Sequence, residues 1–140
     1  MKLNEVIKLR GNTNTNLEPF MDDFVAATKE SPIGKGRLYG DVLIDVSPFD
    51  GEIHLGDIVT VGEKSQGSGT RALKFLTDLA DRHNVRLSGT AKAYSKSKEH
   101  IQTSERLLQW YKKHGFVEPA DSFGDEDEGF DIRRSPKRLH

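Results

Sequence analysis

The sequence predicts a single α/β domain of the α+β kind, with helices packed on a sheet that contains an antiparallel hairpin. Its 140 residues suit one hydrophobic core and leave no room for a second domain. Along the chain, apolar residues alternate between the spacing of strands and the spacing of helices. A turn rich in proline and glycine also joins two consecutive strand patterns. We therefore treat 1–140 as one domain.

The first half of this domain is predicted to begin with a strand and a helix. The apolar residues at 6–9 favour a short opening strand, and the polar segment 11–16 is typical of a helix start. A helix over 17–30 follows, because its apolar residues recur every three or four positions and form one stripe. It should end before Pro32.

Two strand patterns, 37–49 and 52–61, come next and are joined by a turn at 47–51, which predicts an antiparallel hairpin. In the second strand the alternation slips by one residue at Gly56. An extra residue at a glycine is typical of a β-bulge, which bends a strand away from its neighbour. A strand end buried on both faces would give the same pattern, so both interpretations stay open.

The second half alternates again between helix and strand patterns. The predicted elements, in chain order, are a glycine-bearing loop (62–70), a helix (71–84), a strand (85–93), a basic loop (92–102), a helix (103–114), an acidic loop (121–128) and a last strand (129–134). Gly115 follows the second of these helices, at the position where a glycine commonly ends a helix.

The composition excludes several classes of protein. The 21 Lys and Arg against 22 Asp and Glu give a net charge of −1, so no overall field draws the chain to nucleic acid or anionic lipid. The absence of cysteine excludes a disulfide scaffold and a thiol nucleophile. The histidines show no metal-ligand spacing, so no metal is expected. Without a signal-peptide or membrane-span pattern, we expect a cytoplasmic protein.

The segment 59–73 runs from a strand through a glycine-bearing loop into a helix. Glycines let consecutive backbone N–H groups converge on one point, and a helix start adds unpaired amides and the positive end of its dipole. Together these groups favour an anion of the size of a phosphate. A plain connection between a strand and a helix has the same composition, so the loop alone does not establish a site.

Two common phosphate-binding loops fit this segment poorly. A Walker loop requires a lysine after its second glycine, but Ser68 follows Gly67. Gly67, Gly69 and Ala72 match the dinucleotide fingerprint formally, although that fold turns almost directly from strand to glycine. The acidic ribose ligand expected about 20 residues later is also missing. A dinucleotide-binding enzyme is therefore a distant alternative.

A third loop pattern fits better. The chain reads Gln66-Gly67-Ser68-Gly69-Thr70, which resembles the Q/R-x-x-G-x-G/A loop of the GCN5-related N-acetyltransferase (GNAT) superfamily. In that family the loop binds the pyrophosphate of acetyl-coenzyme A (acetyl-CoA). The sequence departs from the pattern at the last position, where Arg71 replaces the small residue of the family. The residues that the resemblance assigns to cofactor binding here are Gln66, Gly67, Ser68, Gly69, Thr70 and Arg71.

A second segment, 107–116, is similar to the last helix of the same family, where an aromatic pair and Gly-Phe mark the helix end. Tyr111 stands at the position of the family's tyrosine, which acts as a general acid. Ser104 stands where many members have an asparagine that contacts the pantetheine arm. For Trp110 we favour a role in the core. The resemblance spans about 52–116.

The resemblance implies a GNAT-like mixed, mostly antiparallel sheet with helices on both faces, and a cofactor between two splayed strands. A bulge at Gly56 would help to produce that splay and free the amides of Val59 and Val61 to pair with the pantetheine. One such amide would polarise the thioester carbonyl and stabilise the oxyanion. The implied reaction is direct attack of a neutral amine on acetyl-CoA, with Tyr111 protonating the departing thiolate.

The general base is predicted on the strand that leads to the cofactor. We rank Asp57 first and His54 second, with Glu52 as a further candidate, because the suspected bulge decides which side chain faces the cleft. Each of these residues is also an ordinary surface side chain. The sequence therefore does not assign the base.

Two charged segments bear on specificity. The acidic run over 121–131 would attract a cationic amine, although a solvated loop accounts for it equally well. Lys92, Lys96 and Lys98 would meet the 3′-phosphate of the cofactor or an acidic partner, and here a solvated loop is the preferred interpretation.

Two functions follow from the sequence. The first is an N-acetyltransferase whose partners are acetyl-CoA and an amine acceptor, either a small molecule or a protein lysine or N-terminus. The second is a noncatalytic acyl-CoA-binding or protein-interaction module on the same fold, suggested by Arg71 and by the unassigned base. Neither function involves nucleic acid or a membrane, and a homodimer stays open.

Overall fold

The computed structural model describes residues 16–32, 36–60, 67–92, 103–122 and 124–137. Within these ranges the chain forms three helices, which are α1 (Leu17–Ala27), α2 (Ser68–His83) and α3 (Ser104–Lys113). It also forms six strands, which are β1 (Lys29–Glu30), β2 (Arg37–Tyr39), β3 (Val42–Phe49), β4 (Glu52–Thr60), β5 (Leu87–Ala91) and β6 (Phe130–Arg134). The opening strand predicted at 6–9 lies outside the described residues.

The six strands form one mixed sheet in the order of the sequence. All neighbours are antiparallel except β4 and β5, which run parallel. Parallel neighbours need a crossover connection, and α2 lies in that connection. The prediction of a mixed, mostly antiparallel sheet is confirmed.

Two predicted boundaries in the first half were wrong. The helix predicted over 17–30 ends at Ala27, and the next residue, Thr28, turns its hydroxyl back to donate to Phe24 O at 2.7 Å. The chain then enters β1 instead of continuing the helix. The single strand predicted over 37–49 is two strands, β2 and β3, joined by a tight turn at Gly40-Asp41. Gly40 has a φ of 63°, which favours glycine.

The predicted hairpin of β3 and β4 is confirmed, with a shorter turn than expected. Phe49 and Glu52 are paired, so the loop consists of Asp50 and Gly51 alone. Both loop residues have positive φ, 53° and 78°, as two-residue hairpins of the I′ type require. Ser47, which we placed in the turn, belongs to β3.

The bulge at Gly56 is also confirmed. Asp45 of β3 pairs with Asp57, but the next residue, Val46, pairs with Leu55, which leaves Gly56 as the extra residue of β4. Within the described residues, β4 pairs with β5 only as far as Leu55. After the bulge, β4 stays on β3 and diverges from β5, so one edge of its last residues is open.

The helices described here contact one face of the sheet. Tyr39 of β2 stacks on Phe75 of α2, with ring centroids 4.2 Å apart, and Phe24 of α1 stacks on the same ring. Arg134 of β6 reaches from that face to the carbonyl oxygen of His114, directly after α3. The resemblance implied helices on both faces, which the described part of the chain does not show. The opposite face exposes His54, Thr90, Asp131 and Arg133.

A buried ion pair joins α2 to the last strand. Arg134 donates two hydrogen bonds to the carboxylate of Asp81, at 2.8 and 3.0 Å, and both side chains are at least nine-tenths buried. Burial opposes the ionisation of Asp81, but the hydrogen bonds from Arg134 and from the Lys137 amide outweigh it and hold its pKa below the ordinary value. The pair fixes α2 against β6.

Asp81→Ala should lower the free energy of unfolding by about 3–5 kcal/mol, because it leaves the Arg134 charge buried without a partner. Since the pKa of Asp81 is lowered in the folded state, its contribution is present at neutral pH and lost as the pH falls below about 4. Urea unfolding at pH 7 and at pH 3 measures both effects. Asp78→Asn, at an exposed pair with Lys74, is the matched control and should change stability far less.

Candidate active site

The predicted anion-binding loop ends at the start of α2. This helix begins at Ser68, three residues before the predicted start. Its N-cap, Gly67, has a φ of 82°, which only glycine adopts without strain. The first backbone bond of the helix runs from the Arg71 amide to Gly67 O at 2.9 Å, so the amides of Gly69 and Thr70 have no acceptor within the helix. These amides point out of the positive end of the helix dipole.

Val61 and Gln66, which we also predicted to bind the cofactor, lie outside the described residues.

The side chain of Arg71 folds back over this helix start. A methyl group placed on Gly67 would lie 3.3 Å from Arg71 Nη1, and Arg71 Nη2 donates to Ser68 Oγ at 3.2 Å. Ser68 is buried, and its hydroxyl in turn donates to Asp41 Oδ2 at 3.4 Å. A guanidinium at the positive end of a helix is electrostatically unfavourable unless anions lie beside it. Asp41 supplies one negative charge there.

Trp110 connects α3 to the same helix start. Its indole Nε1 donates to Thr70 Oγ1 at 3.0 Å, and its ring lies 3.7 Å from where a Cβ of Gly69 would be. The ring is half-buried and packs against the core, as we predicted. It also closes the α3 side of the α2 N-terminus and fixes the distance between the loop and the helix that carries Tyr111.

Tyr111 is enclosed on α3 and electrostatically coupled to β4. Its side chain is only 6% exposed, between the rings of Trp110 and Phe116, whose centroids lie 5.0 and 5.2 Å away. Burial raises the pKa of Tyr111, and the negative charge of Asp57 raises it further. The phenol is therefore protonated at neutral pH. Within the described residues, its hydroxyl makes no hydrogen bond.

The three candidate bases lie in different environments. Asp57 is exposed directly after the bulge, where its charge acts on Tyr111. His54 is exposed on the face of the sheet away from the helices. The carboxylate of Glu52 lies 3.4 Å from Arg86 Nη1 and 4.0 Å from Arg133 Nε, so it belongs to a surface ion-pair network. Among the three candidate bases, Asp57 alone has a charge that acts on Tyr111.

The direction of the backbone along β4 follows from the two hairpins. Two-residue loops close both ends of β3, at Gly40-Asp41 and Asp50-Gly51, and the residues that flank such loops face each other. Successive residues of a strand point their backbone N–H and C=O groups to alternate sides. Counting from either end of β3 therefore directs these groups of Leu43 toward β4, where they face Val59. The Ile58 amide therefore faces the open edge. The Val59 amide, which we predicted to be free, faces β3.

Ser104 has a different position from the one we predicted. It is fully buried, its amide donates to Glu126 Oε2 at 2.6 Å and its hydroxyl donates to the Glu126 carbonyl oxygen at 2.8 Å. The Glu105 amide donates to the other carboxylate oxygen of Glu126 at 3.2 Å. Glu126 thus caps the N-terminus of α3, together with Thr103, whose Oγ1 accepts from the Arg106 amide. Ser104 thus anchors the acidic loop to the start of α3.

Within the described ranges, no group of three or more His, Asp or Glu side chains is arranged to hold a metal ion. No helix in those ranges is both long and apolar enough to span a bilayer.

Comparisons with known proteins place the fold. No protein-family model and no curated protein matches the sequence. A crystal structure of an acyl-CoA N-acyltransferase from Pseudomonas aeruginosa is 14% identical, over 96% of this chain and 93% of that chain, with a TM-score of 0.50. The anti-CRISPR protein AcrVA5 is 20% identical, over 68% of this chain and 90% of that chain, also with a TM-score of 0.50.

A third structure is that of the NatC complex bound to Gag peptide and CoA. It is 10% identical, over 86% of this chain and 77% of that chain, with a TM-score of 0.50. At these identities the likeness concerns the fold.

Glu126→Gln should weaken the cap of α3, because a neutral amide accepts weaker hydrogen bonds than a carboxylate and loses the favourable charge at the helix N-terminus. The hydrogen bonds from the amides of Ser104 and Glu105 lower the pKa of Glu126, so the cap of the wild type should persist until the pH falls below the ordinary range of a glutamate. Faster hydrogen exchange at the amides of Ser104 and Glu105 would show the loss. Glu128→Gln, in the same loop, should leave both amides unchanged.

Proposed function

We propose that this chain, which has the fold of the GCN5-related N-acetyltransferases, binds acetyl-CoA and transfers its acetyl group to a primary amine. One observation carries the proposal. Residues 67–70 of the loop motif form the N-terminus of α2, and α3 holds a protonated Tyr111 on which the charge of Asp57, directly after the bulge of β4, acts. Two of the structures with this fold are an acyl-CoA N-acyltransferase and the NatC complex bound to CoA.

The pyrophosphate of the cofactor would bind at the start of α2. The amides of Gly69 and Thr70 and the helix dipole favour an anion there. Arg71, the departure from the family pattern, supports this site instead of weakening it, because its guanidinium lies over Gly67 and adds a positive charge. A diphosphate would satisfy both the dipole and the guanidinium.

The acyl arm would lie along the open edge of β4. A pantetheine contains two amides, which pair with a free strand edge as a peptide strand does. The register turns the amides of Ile58 and Thr60 toward this edge, so the role that we assigned to Val59 passes to Ile58. One of these amides would donate to the thioester oxygen and stabilise the tetrahedral oxyanion.

The reaction would then proceed by direct transfer. Asp57 accepts a proton from the ammonium, either directly or through water, and the neutral amine attacks the thioester carbon. The tetrahedral intermediate collapses with cleavage of the C–S bond, and the Tyr111 hydroxyl protonates the departing thiolate. The resulting phenolate takes up, directly or through water, the proton that the newly acetylated nitrogen loses, which restores Tyr111 and leaves a neutral amide. Asp57 is preferred to His54 because its charge acts on Tyr111.

The second candidate function is a noncatalytic acyl-CoA-binding module, which the exposure of Asp57 favours, since an effective base is usually held in a defined position. Calorimetry with acetyl-CoA, followed by a thiol-release assay over a panel of amines, separates the two. Binding with turnover supports the enzyme. Binding without turnover on any amine supports the module, and no binding rejects both.

Tyr111→Phe should lower turnover by a factor of about 10² to 10⁴, because the departing thiolate loses its proton donor. The affinity for acetyl-CoA should stay near that of the wild type, since the ring and its packing are kept. Steady-state thiol release and calorimetry measure the two quantities. Tyr39→Phe, at a tyrosine of β2, is the matched control, and an unchanged rate in Tyr111→Phe would remove Tyr111 from this role.

Gly69→Glu should abolish cofactor binding, because it brings a carboxylate to the proposed pyrophosphate site and pushes a side chain toward Trp110. Calorimetry with CoA measures the loss. Ala26→Glu makes the same change of charge at an exposed position of α1 and should leave the affinity unchanged. Retained affinity in Gly69→Glu would mean that the loop is not the pyrophosphate site.

A further inference from the structure

We propose that Trp110 is a positioning residue, whose indole N–H orients the hydroxyl of Thr70 so that this hydroxyl donates to an anion at the start of α2. This inference rests on the proposed function, because the anion is the pyrophosphate of acetyl-CoA. It goes beyond the packing of Trp110 against the core. The sequence had suggested lysines of the loop after β5 as further cofactor ligands, and of these Lys96 and Lys98 lie outside the described residues.

The first turn of α2 carries three side chains that can donate a hydrogen bond, and two of them have partners within the protein. Ser68 is buried, and its hydroxyl donates to Asp41 Oδ2 at 3.4 Å. Arg71 Nη2 donates to Ser68 Oγ at 3.2 Å. The third donor is the hydroxyl of Thr70, an exposed residue. It is therefore the hydroxyl of this turn that a ligand can reach.

The hydroxyl of Thr70 is used as an acceptor, since Trp110 Nε1 donates to Thr70 Oγ1 at 3.0 Å. Thr77, two turns further along α2, shows the opposite and more common arrangement, in which the hydroxyl donates to a carbonyl of the preceding turn, here Lys74 O at 3.1 Å. Among the described residues, Thr70 Oγ1 donates to no acceptor. The proton of this hydroxyl therefore has no partner in the described part of the protein.

The bond from Trp110 restricts where that proton can point. A hydroxyl has one proton and two lone pairs, whereas an indole can only donate. The indole N–H therefore occupies one lone pair of Thr70 Oγ1 and turns the hydroxyl proton away from the ring. Hydrogen bonds in a chain also polarise one another, so a hydroxyl that accepts from an indole is a stronger donor to its next partner.

The indole lies beside the amides to which we assign the pyrophosphate. Trp110 Cζ2 is 3.7 Å from the position that a Cβ of Gly69 would take, so the absence of a side chain at Gly69 lets the ring approach the first turn of α2. The amides of Gly69 and Thr70 have no acceptor within the helix. Thr70 thus offers two donors to one anion, its amide and its oriented hydroxyl.

Two substitutions separate this role of Trp110 from packing. Trp110→Phe keeps an aromatic ring beside Gly69 and removes the indole N–H. Thr70→Val keeps the shape of the threonine and removes the hydroxyl, and because Thr70 is exposed, the core is unchanged. Thr70→Ser keeps the hydroxyl and should retain the affinity of the wild type.

The test is a double-mutant cycle on the affinity for CoA, measured by calorimetry on the full chain. Thr70→Val should weaken binding about tenfold, because a hydrogen bond to a charged ligand is lost. Trp110→Phe should weaken it by a factor of about 2 to 10, and should cause no further loss when Thr70 is already valine. Gln109→Leu removes an exposed hydrogen bond of α3 next to Trp110 and should leave the affinity unchanged.

A second measurement uses the emission of Trp110, which is the only tryptophan of the chain. In the wild type, CoA should change this emission with a midpoint at the dissociation constant from calorimetry, because the anion polarises the Thr70 hydroxyl and, through it, the indole N–H. In Thr70→Val, a saturating concentration of CoA should leave the emission nearly unchanged.

Three outcomes would overturn the inference and leave the proposed function intact. Additive losses in the double-mutant cycle would restrict Trp110 to packing. Wild-type affinity in Thr70→Val would show that the hydroxyl does not contact the ligand. An emission change that persists in Thr70→Val would show that the hydroxyl does not connect the ligand to the indole. Failure of the wild type to bind CoA would instead reject the proposed function itself.

Discussion

The single extra residue at Gly56 is the constraint on which the rest of the site depends. Before the bulge, β4 is held between β3 and β5, and its backbone groups are used by the sheet. After it, β4 has β3 as its one neighbour among the described residues and turns the amides of Ile58 and Thr60 to the other side, a state that sheets normally avoid. An unpaired strand edge is a template for pairing with another backbone or with the amides of a ligand. Trp110 of α3 bonds to Thr70 at the start of α2, and the charge of Asp57, directly after the bulge, acts on Tyr111 of α3, so the proposed site joins the bulge to both helices.

The helices are fixed by contacts that cross long stretches of sequence. Trp110 connects α3 to the start of α2, and the Asp81–Arg134 pair connects the end of α2 to the last strand. Both contacts lie on the side of the sheet that also buries the core. The end of α2 where we propose anion binding is therefore linked to the helix that carries Tyr111, an arrangement that suits the proposed direct transfer between two bound molecules.

Much of this arrangement was predictable because its signals are local. Hydrophobic spacing gave the helices, the loop residues gave the hairpin, and the slip of alternation gave the bulge. The direction of the Val59 amide could not be predicted in the same way. The turns at the two ends of β3 determine which of its residues point their N–H and C=O groups toward β4, and the sequence analysis did not predict the turn at Gly40. The use of Ser104 was hidden for another reason, since its partner Glu126 lies 22 residues away and no local pattern joins them.

The cap that Glu126 places on α3 also bears on the order in which the protein folds. Short helices are unstable in isolation, and here the carboxylate that satisfies the first turn comes from a segment that follows the helix in the chain. During synthesis, α3 leaves the ribosome with its Thr103 cap but before Glu126. The N-terminus of the helix that carries Tyr111 is thus completed only after the turn preceding β6 has emerged, so the proposed site depends on a segment made after all three described helices.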